Sequence, residues 1–335
     1  MRKLLVVLSA IMLVAAFAVP VFADWSGEVE FGFTTVFDPA KDASAYGSIE
    51  ADFSKAVDDY NSVALEFDGT TPASGADNWT VGEASISTDI GKAAGLPVGL
   101  TLKSGYFDSG NQEYADVTGW GLEDVAAGGT TLDGGFDLGF GFGPANLDVA
   151  FSVAQGTGGQ DLLINLYMPD LSGASVELYY DVVNNDDLKG AFGVDGSYAV
   201  GPATVAAGFE YDSVAETWQY GLGVSAGVSM ATLGVSLDGN DDKALAEVGL
   251  DANLAPADNY GVDLGVKLSM KDDDPATTVD ESKTLQCVDI SAYYKVGAAT
   301  IRVGYDVTET GESYNAPAVL TDDKGGLYAD VDLAF

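Results

Sequence analysis

The chain has 335 residues, with 52 Asp and Glu against 14 Lys and Arg, a formal net charge of −38 and no histidine. That balance excludes nucleic acid as a partner, because phosphate binding needs clustered Lys and Arg, and it equally excludes a basic helix on a membrane surface. The missing histidine removes Ser-His-Asp and Cys-His catalysis and His-ligated zinc, and the single cysteine, Cys287, rules out an intrachain disulfide.

Arg2 and Lys3 precede an uncharged, mostly apolar run from Leu4 to Val19, followed by Pro20 and Val21-Phe22-Ala23. This is the layout of a secretory signal peptide over residues 1–23, with cleavage expected after Ala23. A transmembrane helix is the alternative, but the run falls short of the ~20 residues a span needs. Losing this segment removes Arg2 and Lys3 and no acid.

From Asp24 onward the apolar residues are dispersed by alternation. In WSGEVEFGFTTVF, Trp25, Gly27, Val29, Phe31 and Phe33 share one parity, and Glu28 and Glu30 take the other. A period of two is a strand with one apolar and one polar face. The pattern predicts strands at 25–37, 45–53, 62–67, 79–90, 98–107, 135–142, 146–154, 162–168, 175–183, 189–200, 203–212, 217–229, 231–238, 244–254, 260–270, 284–296, 299–308 and 326–335. That makes eighteen, with sixteen as the alternative if a hairpin near Asp42–Phe67 is misread. No comparable helical period appears. The prolines support the reading: one of the ten lies in the signal and the others fall between proposed strands, as a residue without an N–H should.

Short connections such as Gly201-Pro202 and Gly297-Ala298 take turns with long or acidic ones such as KDDDPATTVDESK. A meander with tight turns at one end and long loops at the other produces that rhythm. Strand charges sit almost wholly on the polar parity. Val176, Leu178, Tyr180 and Val182 oppose Glu177 and Asp181, for example, and Val303, Tyr305 and Val307 oppose Arg302 and Asp306. Alternation alone does not choose between a soluble sandwich and a barrel with apolar residues on lipid and polar residues around water. The strand number, the undivided chain and the aromatics near strand ends (Trp25, Phe37, Trp79, Tyr106, Tyr180, Trp218, Tyr220 and Tyr260) favour an all-β transmembrane barrel of antiparallel up-and-down strands over 24–335.

The last segment, GLYADVDLAF, places Leu327, Ala329, Val331, Leu333 and Phe335 on one parity. It resembles the closing strand of bacterial outer-membrane β-barrels. In that family such a strand, ending on an aromatic, is the signal read by the barrel-assembly machinery. Across the whole mature chain the architecture is similar to that of general porins. The resemblance implies an outer-membrane location, both termini in the periplasm, a homotrimer and a third external loop folded into the pore. Here that loop is 108–134, with Asp108, Glu113, Asp116, Glu123, Asp124 and Asp133 and no Lys or Arg. A further strand pair over 115–125, or a plain surface loop, is the alternative. General porins also set basic residues across from the loop's acids. Lys103, Lys267, Lys295 and Arg302 are the few inward-parity bases, and they form no basic ladder.

Eighteen strands enclose a lumen too wide for side chains to fill. The expected function is passive diffusion of ions and small hydrophilic solutes through a water-filled channel in a lipid bilayer. Glu28, Glu30, Glu50, Asp52, Glu66, Lys103, Glu177, Asp181, Glu210, Asp263, Lys267, Asp289, Arg302 and Asp306 are expected to line it, and rings of Asp and Glu favour cations. A substrate-specific channel would stack aromatics in the lumen, for which Tyr179, Tyr293 and Tyr328 are few. A structural or adhesive barrel would act through its loops, but these read as acidic and solvated. Known barrel proteases and lipases use histidine, so no enzyme is expected. No cofactor or metal is implied, since the acidic turns at 184–187 and 271–274 lack EF-hand spacing.

Overall fold

The computed structural model describes residues 25–36, 44–71, 78–109, 114–122, 130–151, 162–184, 189–241, 245–269, 285–308 and 325–334. Among them eighteen strands form one sheet: β1 (Trp25–Val36), β2 (Ser44–Ala56), β3 (Asn61–Thr71), β4 (Asn78–Asp89), β5 (Gly99–Ser109), β6 (Thr130–Phe142), β7 (Ala145–Phe151), β8 (Leu162–Met168), β9 (Ala174–Asn184), β10 (Lys189–Val200), β11 (Ala203–Asp212), β12 (Thr217–Val228), β13 (Ala231–Asn240), β14 (Glu247–Ala257), β15 (Tyr260–Ser269), β16 (Leu285–Val296), β17 (Ala299–Thr308) and β18 (Gly326–Ala334). Each strand pairs antiparallel with its chain neighbours, and β1 pairs with both β2 and β18. The sheet therefore closes on itself and presents no unpaired edge. The segment that left sixteen strands open is a true hairpin, with β2 and β3 in register from Gly47↔Thr71 to Ala56↔Ser62.

Residues directly opposite one another share a face, so the register carries each parity around the barrel. One face is apolar and solvent-exposed, as at Phe33 (52 %) and Val303 (56 %), whereas the other buries charge, as at Glu177 and Asp306 (both 0 %). In a closed barrel the buried face is the inner one. The apolar side chains therefore point outward, the inverse of a soluble sandwich. Val182 departs from this, being buried on the outer parity next to the register shift between Lys189 and Gly190. Trp218 and Tyr220 stack on the outer face with ring centroids 6.0 Å apart, and Tyr260 opens β15 on the same face.

Connections alternate. At one end the turns are 57–60, 143–144, 169–173, 201–202, 229–230, 258–259 and 297–298, plus a short helix, α1 (Ile90–Ala94), between β4 and β5. The Asp89 side chain accepts from Lys92 N at 2.8 Å to cap α1. Asp58 caps its own turn through Tyr60 N at 2.8 Å and Asn61 N at 2.9 Å, and the bond from the Asn61 side chain, then these backbone bonds, hold its carboxyl below the usual range.

One expected boundary needs correcting. The loop after β5 is shorter than 108–134. β5 runs to Ser109 and β6 begins at Thr130, with Asp108↔Thr131 and Ser109↔Thr130 paired, so Asp108 and Asp133 belong to strands. The β-branched Thr130 and Thr131 favour extended backbone and lengthen the ladder past the apolar pattern. The alternative of a strand pair over 115–125 finds no strand in its described part, because 114–122 is a series of turns. Glu113, Glu123, Asp124, Phe37, the segment 1–23 and Phe335 lie outside the described residues.

A bulge in β5 sets the register of this corner. Gly105 has φ +138°, and a Cβ there would collide with the Ala84 carbonyl oxygen on β4. Gly105→Ala should cost about 3 kcal/mol, read as a lower denaturant midpoint for the folded barrel in detergent. An unchanged midpoint would contradict this backbone.

Candidate functional site

The inner face of β1 to β4 is a field of carboxylates. Glu28 lies opposite Glu50, Glu50 opposite Asp68, Asp52 opposite Glu66, and Glu66 opposite Glu83. Carboxylate oxygens of Glu50, Asp52 and Glu66 all lie within 4.8 Å of one another. Glu30 sits between Ser48 and Asp332, and the Ser48 hydroxyl donates to its Oε2 at 3.3 Å. No inward Lys or Arg sits on β1 to β4.

The inward bases elsewhere are each engaged locally. Lys103 bridges Glu83 at 2.9 Å and stands 4.5 Å from the Phe107 ring centroid. Lys267 bridges Glu247 at 2.8 Å. Arg302 is 3.8 Å from Asp330, and Lys295 is 5.5 Å from the Tyr293 ring centroid. Lys103, Lys267 and Arg302 are thus each paired with a carboxylate of an adjacent strand, and these carboxylates lie on β4, β14 and β18, not on β1 to β3.

Tyr114–Leu122, between β5 and β6, lies against the inner wall far from where it leaves it. Gly119 N donates to Asp251 Oδ1 at 3.1 Å, and Trp120 Nε1 donates to the Leu250 carbonyl at 3.1 Å, both on β14. The Trp120 ring stands 5.7 Å from Lys267 Nζ on β15. It fits because Gly249 has no side chain: a Cβ there would come within 2.7 Å of the indole. Burial, then the charges of Glu177 and Asp195, push the Tyr114 phenol up. Burial also pushes the Asp116 carboxyl up. The described segment therefore docks on β14 and β15, away from the acidic wall of β1 to β4.

Beneath its root, Phe107, Ala150, Leu163 and Tyr179 form a small buried apolar cluster. These are inner-face positions, of which the expected pattern included only Tyr179. Their only signal in the sequence is a local break in alternation, as in Leu162-Leu163-Ile164. Trp120 was equally unmarked, though an apolar aromatic inside an acidic loop is such a signal. Of the expected lining residues, Glu28 and Glu50 are solvent-exposed on the inner face, whereas Glu177, Glu210, Asp263, Lys267, Asp289 and Asp306 are buried there. Asp181 lies opposite Ala191 and Leu163 on the same face. Cys287 is buried and donates to Asp306 Oδ2 at 3.4 Å.

No protein-family profile and no curated protein matches the chain. Solved structures do. An engineered protein described for asymmetric conductivity has a TM-score of 0.55 at 14 % identity. Two variants of Rh. blastica porin have TM-scores of 0.53 and 0.54 at 13 % and 14 % identity. Each match spans 93 % of this chain and 99 % of that chain. At such identities the likeness is one of fold: this chain is a porin-like β-barrel.

Proposed function

We propose that the chain is an outer-membrane porin, a water-filled, cation-selective channel through which ions and small hydrophilic solutes diffuse passively. The observation that carries this reading is the inner wall of β1 to β4, where carboxylates oppose carboxylates without an intervening base. Strands of this length suit a bilayer, and the outward apolar face is far larger than a soluble monomer tolerates. The fold shared with porins supports a channel rather than an enzyme.

In this reading the segment carrying Asp116 narrows the bore from the β14 side, and Glu113, Glu123 and Asp124 add acidic charge to the same loop. Residues 1–23 are the signal peptide, both termini face the periplasm, and Leu327 to Phe335 is the strand read by the barrel-assembly machinery. Three copies associate through the apolar face. A sugar-type track is disfavoured, because Tyr179 and Tyr328 are buried and offer no ring face to a passing solute.

The test is the purified barrel in a planar lipid bilayer under a salt gradient. Large stable steps with a cation-selective reversal potential are expected. Anion selectivity would remove the role given to the wall carboxylates, and absence of steps from folded barrels would remove the channel.

A further inference from the structure

Three inward tyrosines lie across a glycine of the adjoining strand. Tyr179 is directly opposite Gly193, Tyr293 opposite Gly261 and Tyr328 opposite Gly304. A Cβ at any of these glycines would run into the ring. The missing side chain lets the ring lie flat on the wall, so its hydroxyl reaches a second strand over. Tyr179 on β9 passes over β10 and donates to Glu210 Oε2 on β11 at 2.6 Å, while Gln219 on β12 donates to Oε1 at 3.1 Å. Tyr328 on β18 passes over β17 and reaches both oxygens of Asp289 on β16, at 3.1 and 3.0 Å. Tyr293 repeats the geometry but ends on an amide, accepting from Asn253 Nδ2 on β14 at 3.4 Å.

We propose that Tyr179 and Tyr328 are positioning residues that bind Glu210 and Asp289 to the wall and withdraw their oxygens from the ion path. The proposal deepens the channel reading and rests on it. Glu210 and Asp289 are only 8 % and 0 % exposed, and the tyrosines 2 % and 1 %. A carboxylate so enclosed stays only when its oxygens receive donors, and these hydroxyls are such donors. Glu28 and Glu50 on β1 and β2 are open to ions, whereas Glu210 and Asp289 under their tyrosines are not.

Carbodiimide-driven amine labelling of the folded barrel, mapped by mass spectrometry, tests the tether without relying on conduction. Glu210 and Asp289 are expected to label at least about tenfold more slowly than Glu50. Tyr179→Phe, which keeps the ring over Gly193, should raise the Glu210 rate severalfold and leave Asp289 alone. Tyr328→Phe should do the converse, and Tyr293→Phe neither. Equal labelling of all three acids, or rates indifferent to the hydroxyls, would overturn the proposal. In bilayers, Glu210→Gln should leave the reversal potential where it is, whereas Glu50→Gln should shift it. An equal shift from Glu210→Gln counts against the tether, while a wild type without cation selectivity counts against the channel reading and leaves the labelling result to judge the tether.

Discussion

Trp120→Ala is expected to raise the mean open-channel conductance and to make the open current flicker. The described segment 114–122 meets β14 and β15 through Gly119 and Trp120. The indole N–H on the Leu250 carbonyl and the ring over Lys267 are both lost. A neutral hydrogen bond contributes about 1 kcal/mol, a cation–π contact about 1 kcal/mol, and the buried ring adds about as much again. A loss of about 3 kcal/mol changes the ratio of docked to undocked segment by roughly a hundredfold. The Gly119 N–H on Asp251 is retained. The strand ladder is untouched, so the unfolding midpoint should hardly move. Gly249→Val fills the slot from the wall side and should give the same trace. Acid works the other way. The docked segment raises the Asp116 pKa by burial, so docking favours the protonated carboxyl. Its stability is greatest below the ordinary carboxylate range and falls as pH rises through the raised pKa. Flicker in Trp120→Ala should therefore lessen in acid. Conductance and noise identical to wild type would mean the segment does not constrict the bore.

Much of this barrel was legible because alternation encodes one quantity, the side of the sheet. Phe31 and Phe33 against Glu28 and Glu30, or Val303 and Tyr305 against Arg302 and Asp306, give a parity that the closed ladder then preserves around the barrel. Eighteen strands followed from repeated parity and from where proline falls. Less legible was anything that depends on a register between distant segments. The opposition of Asp52 to Glu66 follows from parity plus a short turn, but the reach of Tyr179 to Glu210 needs the glycine at 193 to lie between them. Bulges, such as that at Gly105, shift pairing by one residue without a mark in the hydrophobic pattern. The inner segment was harder still. Its acids drew attention as pore charges, yet its position is set by Trp120 against Gly249 and by its bonds to β14. A rule that places every apolar residue outside hides an inner surface that is itself covered.

The triple substitution Glu50→Gln, Asp52→Asn, Glu66→Gln should bring the reversal potential towards zero and, at the same time, make the barrel more stable. The two effects have one cause. Like charges directly opposite on neighbouring strands are unfavourable by about 0.2–1 kcal/mol per pair. Glu50 meets Glu28 and Asp68, and Glu66 meets Asp52 and Glu83, and the three carboxylates crowd within 4.8 Å. Nothing in the ladder requires them, because the backbone pairs whatever the side chains carry. Neutral amides of the same shape keep the packing and remove the repulsion, for a gain of about 1–2 kcal/mol in unfolding free energy. They also remove the oxygens that draw cations to this side of the bore. Lys103 and Arg302 stay bound to Glu83 and Asp330, so the wall should become weakly selective and should not reverse to prefer anions. The Debye length is about 10 Å at 0.1 M salt and about 3 Å at 1 M. The difference from wild type should therefore be large under a dilute gradient and small under a concentrated one. A reversal potential unchanged in dilute salt would mean that ions do not pass along this wall. A lowered unfolding midpoint would mean that bound cations already offset the repulsion, which a chelator added to the wild type would then mimic.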